Sequence, residues 1–158
     1  MKKNDLKITY QVFNNVQELT ADDFVLAEYA IKAADTAYAP YSGFHVGASL
    51  RLKNGKIVNG SNQENSAYPS GLCAERVALF YAGSQYPDTA IEAMAITART
   101  PGKKLKMIVK PCGACRQVMA ETAMRQKSPF RIILIGEDGN GLVFESIADL
   151  LPFSFEFE

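Results

Sequence analysis

The sequence has no apolar run of the roughly 18 residues that a membrane-spanning helix needs, so no membrane partner is expected. It has no excess charge of either sign, with 17 Lys and Arg against 17 Asp and Glu. Phosphate contacts dominate nucleic-acid affinity and leave a basic footprint, so the neutral total argues against a nucleic-acid partner. Met1-Lys2-Lys3-Asn4 opens with charge, but Asp5 through Gln11 offers no apolar core for a signal peptide. Cysteine is scarce and odd in number: three residues, which would strand one thiol in a disulfide scaffold. Reduced thiols in a cytoplasmic setting are the expectation. Histidine is scarcer still, with His45 alone. A structural metal site completed by histidine therefore has one candidate. Internal repeats, linkers and low-complexity segments are also missing.

What is present suits one domain over residues 1–158, with 47% hydrophobic and 22% charged residues and length enough to bury a core without staples. Residues 1–19 form an N-terminal extension in which Ile8, Tyr10 and Val12, two apart, predict an extra strand. Thr20 with Asp23 predicts a helix start. A helix from about 21 to 37 follows, with Phe24, Ala27, Ala30, Ile31 and Ala34 on one face. Phe44, Val46, Ala48, Leu50 and Leu52 alternate with His45, Gly47, Ser49, Arg51 and Lys53, the pattern of a strand with one apolar and one polar face. Asn54-Gly55 is a hairpin signal, and Lys56 to Gly60 returns as the next strand. Further strands are expected at Ile91–Ala98, at the apolar run Ile132–Ile135 and at Leu142–Phe144, with a last short helix capped by Ser146. The order helix, hairpin, helix, strand, helix, strand, strand, helix predicts an α/β fold of three layers, α/β/α, around a mixed five-stranded sheet.

All three cysteines fall in two stretches, Cys73-Ala74-Glu75-Arg76 and Pro111-Cys112-Gly113-Ala114-Cys115-Arg116-Gln117. Three thiolates can hold a zinc ion and leave its fourth tetrahedral position open. Pro111 suits the first turn of a helix. Cys112 and Cys115, three apart, would share a helix face near the N-terminus, where the partial positive charge favours thiolate. Ala74, Val77, Ala78 and Tyr81 follow helical spacing, so Cys73 opens a second helix. Glu75 is two residues on. It converges with Cys73 only if Cys73 is the cap, because residues two apart inside a helix point to nearly opposite sides. Spacing alone leaves that open. Cys112-Gly113-Ala114-Cys115 taken alone also suits a redox pair, but the third cysteine beside Glu75 favours metal. His45, on the polar strand face, is expected at the surface rather than as a fourth ligand. Leu79 and Phe80, outside the apolar stripe, suggest a helix buried on more than one side.

The two cysteine stretches resemble those of the cytidine deaminase family, in particular its small nucleoside enzymes with three cysteine ligands. Ala37-Tyr38-Ala39-Pro40-Tyr41-Ser42-Gly43-Phe44-His45-Val46-Gly47-Ala48 resembles that family's A-Y-x-P-Y-S-x-F-x-V-G-A segment. Asn62-Gln63-Glu64-Asn65 is similar to its N-x-E-N segment, and Leu150-Leu151-Pro152 with Phe155 to its tail. The likeness covers most of residues 20 to 155. It implies zinc, one per subunit, on Cys73, Cys112 and Cys115, with Glu75 as the catalytic acid/base and Arg76 balancing the thiolate charge. It places Phe44 against a pyrimidine ring, Asn62 and Glu64 on the ribose, backbone near Ala74 on the base edge, and Phe155 in a neighbouring subunit's site.

The implied activity is hydrolytic deamination of cytidine and deoxycytidine to uridine and deoxyuridine, with loss of ammonia, in pyrimidine salvage. The implied assembly is a homotetramer. The alternatives are a deaminase of a modified cytosine nucleoside of the blasticidin type and a catalytically inactive zinc-containing binding module. A polynucleotide-editing deaminase would more often show a histidine ligand and a basic surface.

Overall fold

The computed structural model describes residues 1–157; Glu158 lies outside the described residues. Its strands are β1 (Gln11–Phe13), β2 (His45–Leu52), β3 (Ile57–Ser61), β4 (Ile91–Arg99), β5 (Arg131–Ile135) and β6 (Gly141–Phe144). Its helices are α1 (Ala21–Ala33), α2 (Ala74–Gln85) and α3 (Gly113–Arg125). The strands make one sheet in the order β1-β6-β5-β4-β2-β3. Among the strands of the described residues, only β4 and β5 run parallel. A parallel pair needs a long crossover, and α3 lies within the one between them.

Alternate residues along a strand face opposite sides, and β4 sorts accordingly. Ala93 and Ala95 join Leu26, Ala27 and Ala30 of α1 in one core. Met94, Ile96 and Ala98 join Ala74, Ala78 and Met119 of α2 and α3 in the other. The three expected layers are present. Two glycines let the helices lie close on the sheet. A Cβ on Gly47 would sit 2.0 Å from the Ala30 carbonyl oxygen of α1, and one on Gly60 2.5 Å from the Ala74 carbonyl oxygen of α2.

The sheet has six strands rather than five core strands alone, because the N-terminal extension supplies β1 and pairs it antiparallel with β6. Phe13 is buried there beside Gly141, and the Tyr10 ring lies 5.5 Å from that of Phe144.

Several boundaries and faces differ from the sequence reading. The helix from residue 21 ends at Ala33 and tightens into a 3-10 turn over Ala34–Thr36. Its buried face is Asp23, Leu26, Ala27, Ala30 and Ala33, while Ile31 is exposed and Phe24 half-buried. In α2 the buried residues are Ala74, Glu75, Ala78, Leu79 and Ala82; Val77 is half-buried, and Phe80 and Tyr81 are exposed. Alanines at many positions satisfy more than one helical stripe, so neighbouring faces compete. The polar face of β2 is covered rather than solvated: α1 lies over Gly47 and Ser49, and the Ser49 hydroxyl donates to Asn59 Oδ1 at 2.7 Å. Pro111 precedes the helix cap instead of occupying the first turn, and the last short helix is a 3-10 turn over Ile147–Asp149.

Candidate metal centre

Two helix starts converge on the α2/α3 side of the sheet. Cys73 is the N-cap of α2, with extended backbone (φ −69°, ψ 153°), and Cys112 is the N-cap of α3 (φ −68°, ψ 168°). Neither side chain caps its own helix, so both sulfurs are free to point elsewhere. Cys115 follows in the first turn of α3 and is fully buried. The three Sγ atoms all lie within 4.8 Å of one another, with Cys112 and Cys115 3.5 Å apart. Tetrahedral zinc with Zn–S bonds near 2.3 Å needs sulfurs about 3.8 Å apart. The donor set and its spacing therefore fit a zinc ion with three sulfur ligands.

The thiols influence one another. The bond from Cys115 and the Arg76 guanidinium, whose Nη2 donates to Cys73 Sγ at 3.7 Å, lower the Cys73 pKa to about 5 despite partial burial. Cys115 moves upward, as the other partner of that bond and because it is buried. Metal binding replaces such protons. Because Cys73 is the cap, Glu75 falls in the first turn and turns toward the thiols, which is the condition that spacing left open. It is 4% exposed. Burial raises its carboxyl pKa, its own backbone N–H opposes that, and the Cys73 charge raises it further. Among the described residues it forms no ion pair.

These groups border a cavity of about 720 Å³, whose lining includes Cys73, Cys112, Glu75, Arg76, Phe44, Asn62, Glu64 and Lys110. Phe44 does two things: it is half-buried against the core and lines the cavity. Sequence reading did not single out the rim aromatics Tyr41 and Tyr68, whose rings meet edge to face at 6.0 Å. Tyr41 belongs to the quoted A-Y-x-P-Y-S segment; Tyr68 lies in a loop with no periodicity to mark it.

Asn62 is buried. Its Oδ1 accepts from the Val46 N–H at 2.8 Å, and its Nδ2 donates to the Phe44 carbonyl at 2.9 Å. Glu64 accepts from the Tyr41 and Ser42 N–H groups at 2.9 and 3.3 Å and from the Ser42 hydroxyl. Those bonds, the hydroxyl first, hold its pKa below the usual carboxylate value. The Arg116 guanidinium ties the start of α3 to the C-terminal segment, donating to the carbonyls of Pro111 and Leu150, both at 2.8 Å.

Two expected substrate contacts, Ala74 and Phe155, lie apart from the cavity lining. Ala74 is fully buried at the first position of α2, leaving only its backbone near the thiols. Phe155 is 71% exposed and outside the lining, its backbone held by two hydrogen bonds to the Gln117 side chain at 2.8 and 3.0 Å. His45 is half-buried in β2 with Nδ1 unpartnered, and it is not part of the thiol cluster.

A mixed sheet between helix layers, carrying three thiols and a buried glutamate at two helix starts, defines a zinc-dependent hydrolase of the deaminase class. The family model for the cytidine and deoxycytidylate deaminase zinc-binding region matches residues 21–128, and the chain belongs to that family. It is 39% identical over 137 residues to a cytidine deaminase of Halalkalibacterium halodurans, covering 87% of this chain and 96% of that protein. The crystal structure of a cytidine deaminase from Burkholderia pseudomallei superposes with a TM-score of 0.72 at 38% identity, covering 87% of this chain and 100% of that one. A blasticidin-S deaminase from Bacillus cereus is more distant, at 27% identity over 140 residues, or 87% of this chain and 94% of that protein. The cofactor is zinc, by family and by the thiol cluster.

Proposed function

We propose that this chain, as a single domain over residues 1–158 with an added segment at 1–19, deaminates cytidine and deoxycytidine by hydrolysis. The observation that carries the reading is Glu75, buried and unpaired, beside the three-sulfur cluster at the floor of a nucleoside-sized cavity. Cys73, Cys112 and Cys115 hold the metal. Bound zinc supplies a Lewis acid that acidifies a water.

The chain's own groups do the rest. Three thiolates outweigh the two charges of the metal, and Arg76, hydrogen-bonded to Cys73 Sγ, offsets the surplus. Burial makes Glu75 a willing proton acceptor. It takes a proton from the attacking water and delivers it to N3 of the pyrimidine, which makes C4 electrophilic. Once the C4–O bond has formed, Glu75 takes the remaining C4-hydroxyl proton and passes it to the 4-amino nitrogen; the C4–N bond breaks, C4 becomes a carbonyl, and ammonia leaves. Phe44 forms a wall for the base, and backbone at Ala74 meets the base edge. Asn62 keeps one Nδ2 hydrogen, and Glu64 Oε1 keeps acceptor capacity, for ribose hydroxyls.

A homotetramer is part of this proposal. Exposed Phe80 and Tyr81 on α2 support it, as does Phe155, whose ring is free to reach a neighbouring subunit. Pyrimidine salvage in the cytoplasm is the matching role.

The test is ammonia release from cytidine, beside deoxycytidine, by the zinc-loaded protein. Turnover of both is expected. No turnover with zinc firmly bound would overturn the cytidine reading and move the substrate to a modified cytosine nucleoside, or the chain to a binding role.

A further inference from the structure

The Phe44 carbonyl is bonded directly, and its N–H through the Ser42 hydroxyl, by the segment that follows β3. The backbone of that segment is anchored first: the Tyr38 N–H donates to the Asn62 carbonyl and the Glu64 N–H to the Tyr38 carbonyl, both at 2.9 Å. The side chains of Asn62 and Glu64, two residues apart, both reach the 41–46 stretch. Glu64 receives the Ser42 hydroxyl, and that same oxygen accepts from the Phe44 N–H at 2.9 Å. On the other side, Asn62 takes the Phe44 carbonyl and the Val46 N–H. Phe44 is thus held at its N–H through Ser42 and at its carbonyl through Asn62. Between Ser42 and Phe44 lies Gly43 at φ +63°, a left-handed turn that glycine adopts without a steric cost.

We propose that Asn62 and Glu64 are positioning residues: they clamp both peptide groups of Phe44, and so set its ring in the cavity wall, apart from any contact with a sugar hydroxyl. A residue that only met the ribose would need its polar atoms free before substrate arrives. Here the Asn62 oxygen, one of its Nδ2 hydrogens and the Glu64 carboxylate are already bonded within the protein, with Asn62 8% exposed. The clamp serves the cytidine reading given above, and one arm of its test needs no turnover.

The experiment compares kcat/KM for cytidine and for 2′,3′-dideoxycytidine, which lacks both ring hydroxyls, in the zinc-loaded full chain. In Asn62→Ala the loss is expected to be about tenfold or more on both substrates, since misplacement alone carries such factors. Dideoxycytidine has no ribose contact to lose, so its loss reads the clamp alone; cytidine is expected to lose at least as much. Glu64→Gln keeps one acceptor oxygen for Ser42 and should recover part of what Glu64→Ala loses, and Ser42→Ala should reproduce part of the Glu64→Ala loss on both substrates. Amide hydrogen exchange of the substrate-free protein should speed up at Phe44 and Val46 by about tenfold or more in Asn62→Ala, with β4 amides unchanged.

Loss confined to cytidine with dideoxycytidine untouched, or unchanged exchange at both amides, would overturn the clamp. If Asn62→Ala does not fold, Asn62→Asp keeps the Val46 acceptor and loses the Phe44 donor, and the same two readouts decide. If neither substrate turns over in the unmutated protein, the cytidine reading fails while the exchange arm still judges the clamp.

Discussion

Two helix starts each bury a carboxylate to 4% exposure, and they treat it in opposite ways. At the start of α1, Asp23 donates its N–H to the Thr20 cap and binds Arg51 of β2 at 3.1 Å and Arg131 of β5 at 2.8 Å. At the start of α2, Glu75 has no ion-pair partner among the described residues and faces thiols, with its pKa raised by burial. The Asp23 carboxylate is fixed in place by two guanidinium groups. Glu75 has no such counter-charge among the described residues and burial disfavours its charged form, the setting of a group that moves protons. The cap residues follow the same division. Thr20 spends its side chain on its own helix, whereas Cys73 and Cys112 leave theirs for a shared centre.

The sharpest way to break this contrast is to remove the shared centre. Cys112→Ala is expected to lose stoichiometric zinc and all turnover. It should loosen the starts of α2 and α3 while α1 keeps its exchange protection, because metal binding and local folding are coupled there. Full zinc content by atomic absorption would count against the ligand set.

Next comes the carboxylate pair itself. Glu75→Gln should keep zinc and fold stability but lose at least about 10²-fold in rate. Asp23→Asn should keep the rate per folded molecule and lose about 2–4 kcal/mol in urea denaturation, because it removes the buried counter-charge from Arg51 and Arg131. A slow but stable Asp23→Asn, or a fast Glu75→Gln, would collapse the distinction.

The smallest effect is expected at His45. It lies outside the thiol cluster, so His45→Ala should keep one zinc per chain. Zinc loss in that variant would argue for a closed structural site in place of an open catalytic one.

The order of elements was legible because period-two and helical patterns survive in sequence, and the thiols were legible because few residue types bind zinc. What could not be read was which stripe of an alanine-rich helix turns inward. Asp23 illustrates the reason. A charged residue becomes buried only because Arg51 and Arg131 come to it from 28 and 108 positions away, and no local pattern reports that. The cap position of Cys73 is similar: it depends on the extended backbone entering α2, so the convergence of Glu75 with the sulfurs had to be seen. Asn62 and Glu64 were found as residues, but their bonds to the Phe44 peptides are tertiary.

The short strand β1 has a bearing on solubility. The family match begins at residue 21, so β1 and its flanking lysines at 2, 3 and 7 lie ahead of it. By pairing with β6, and by seating Phe13 beside Gly141, this segment hides a ladder of backbone donors and acceptors that another chain could otherwise extend. It replaces a four-residue edge with a three-residue one, preceded by positive charge that repels a second copy. None of its residues lines the cavity; what it changes is which backbone the edge of the sheet presents.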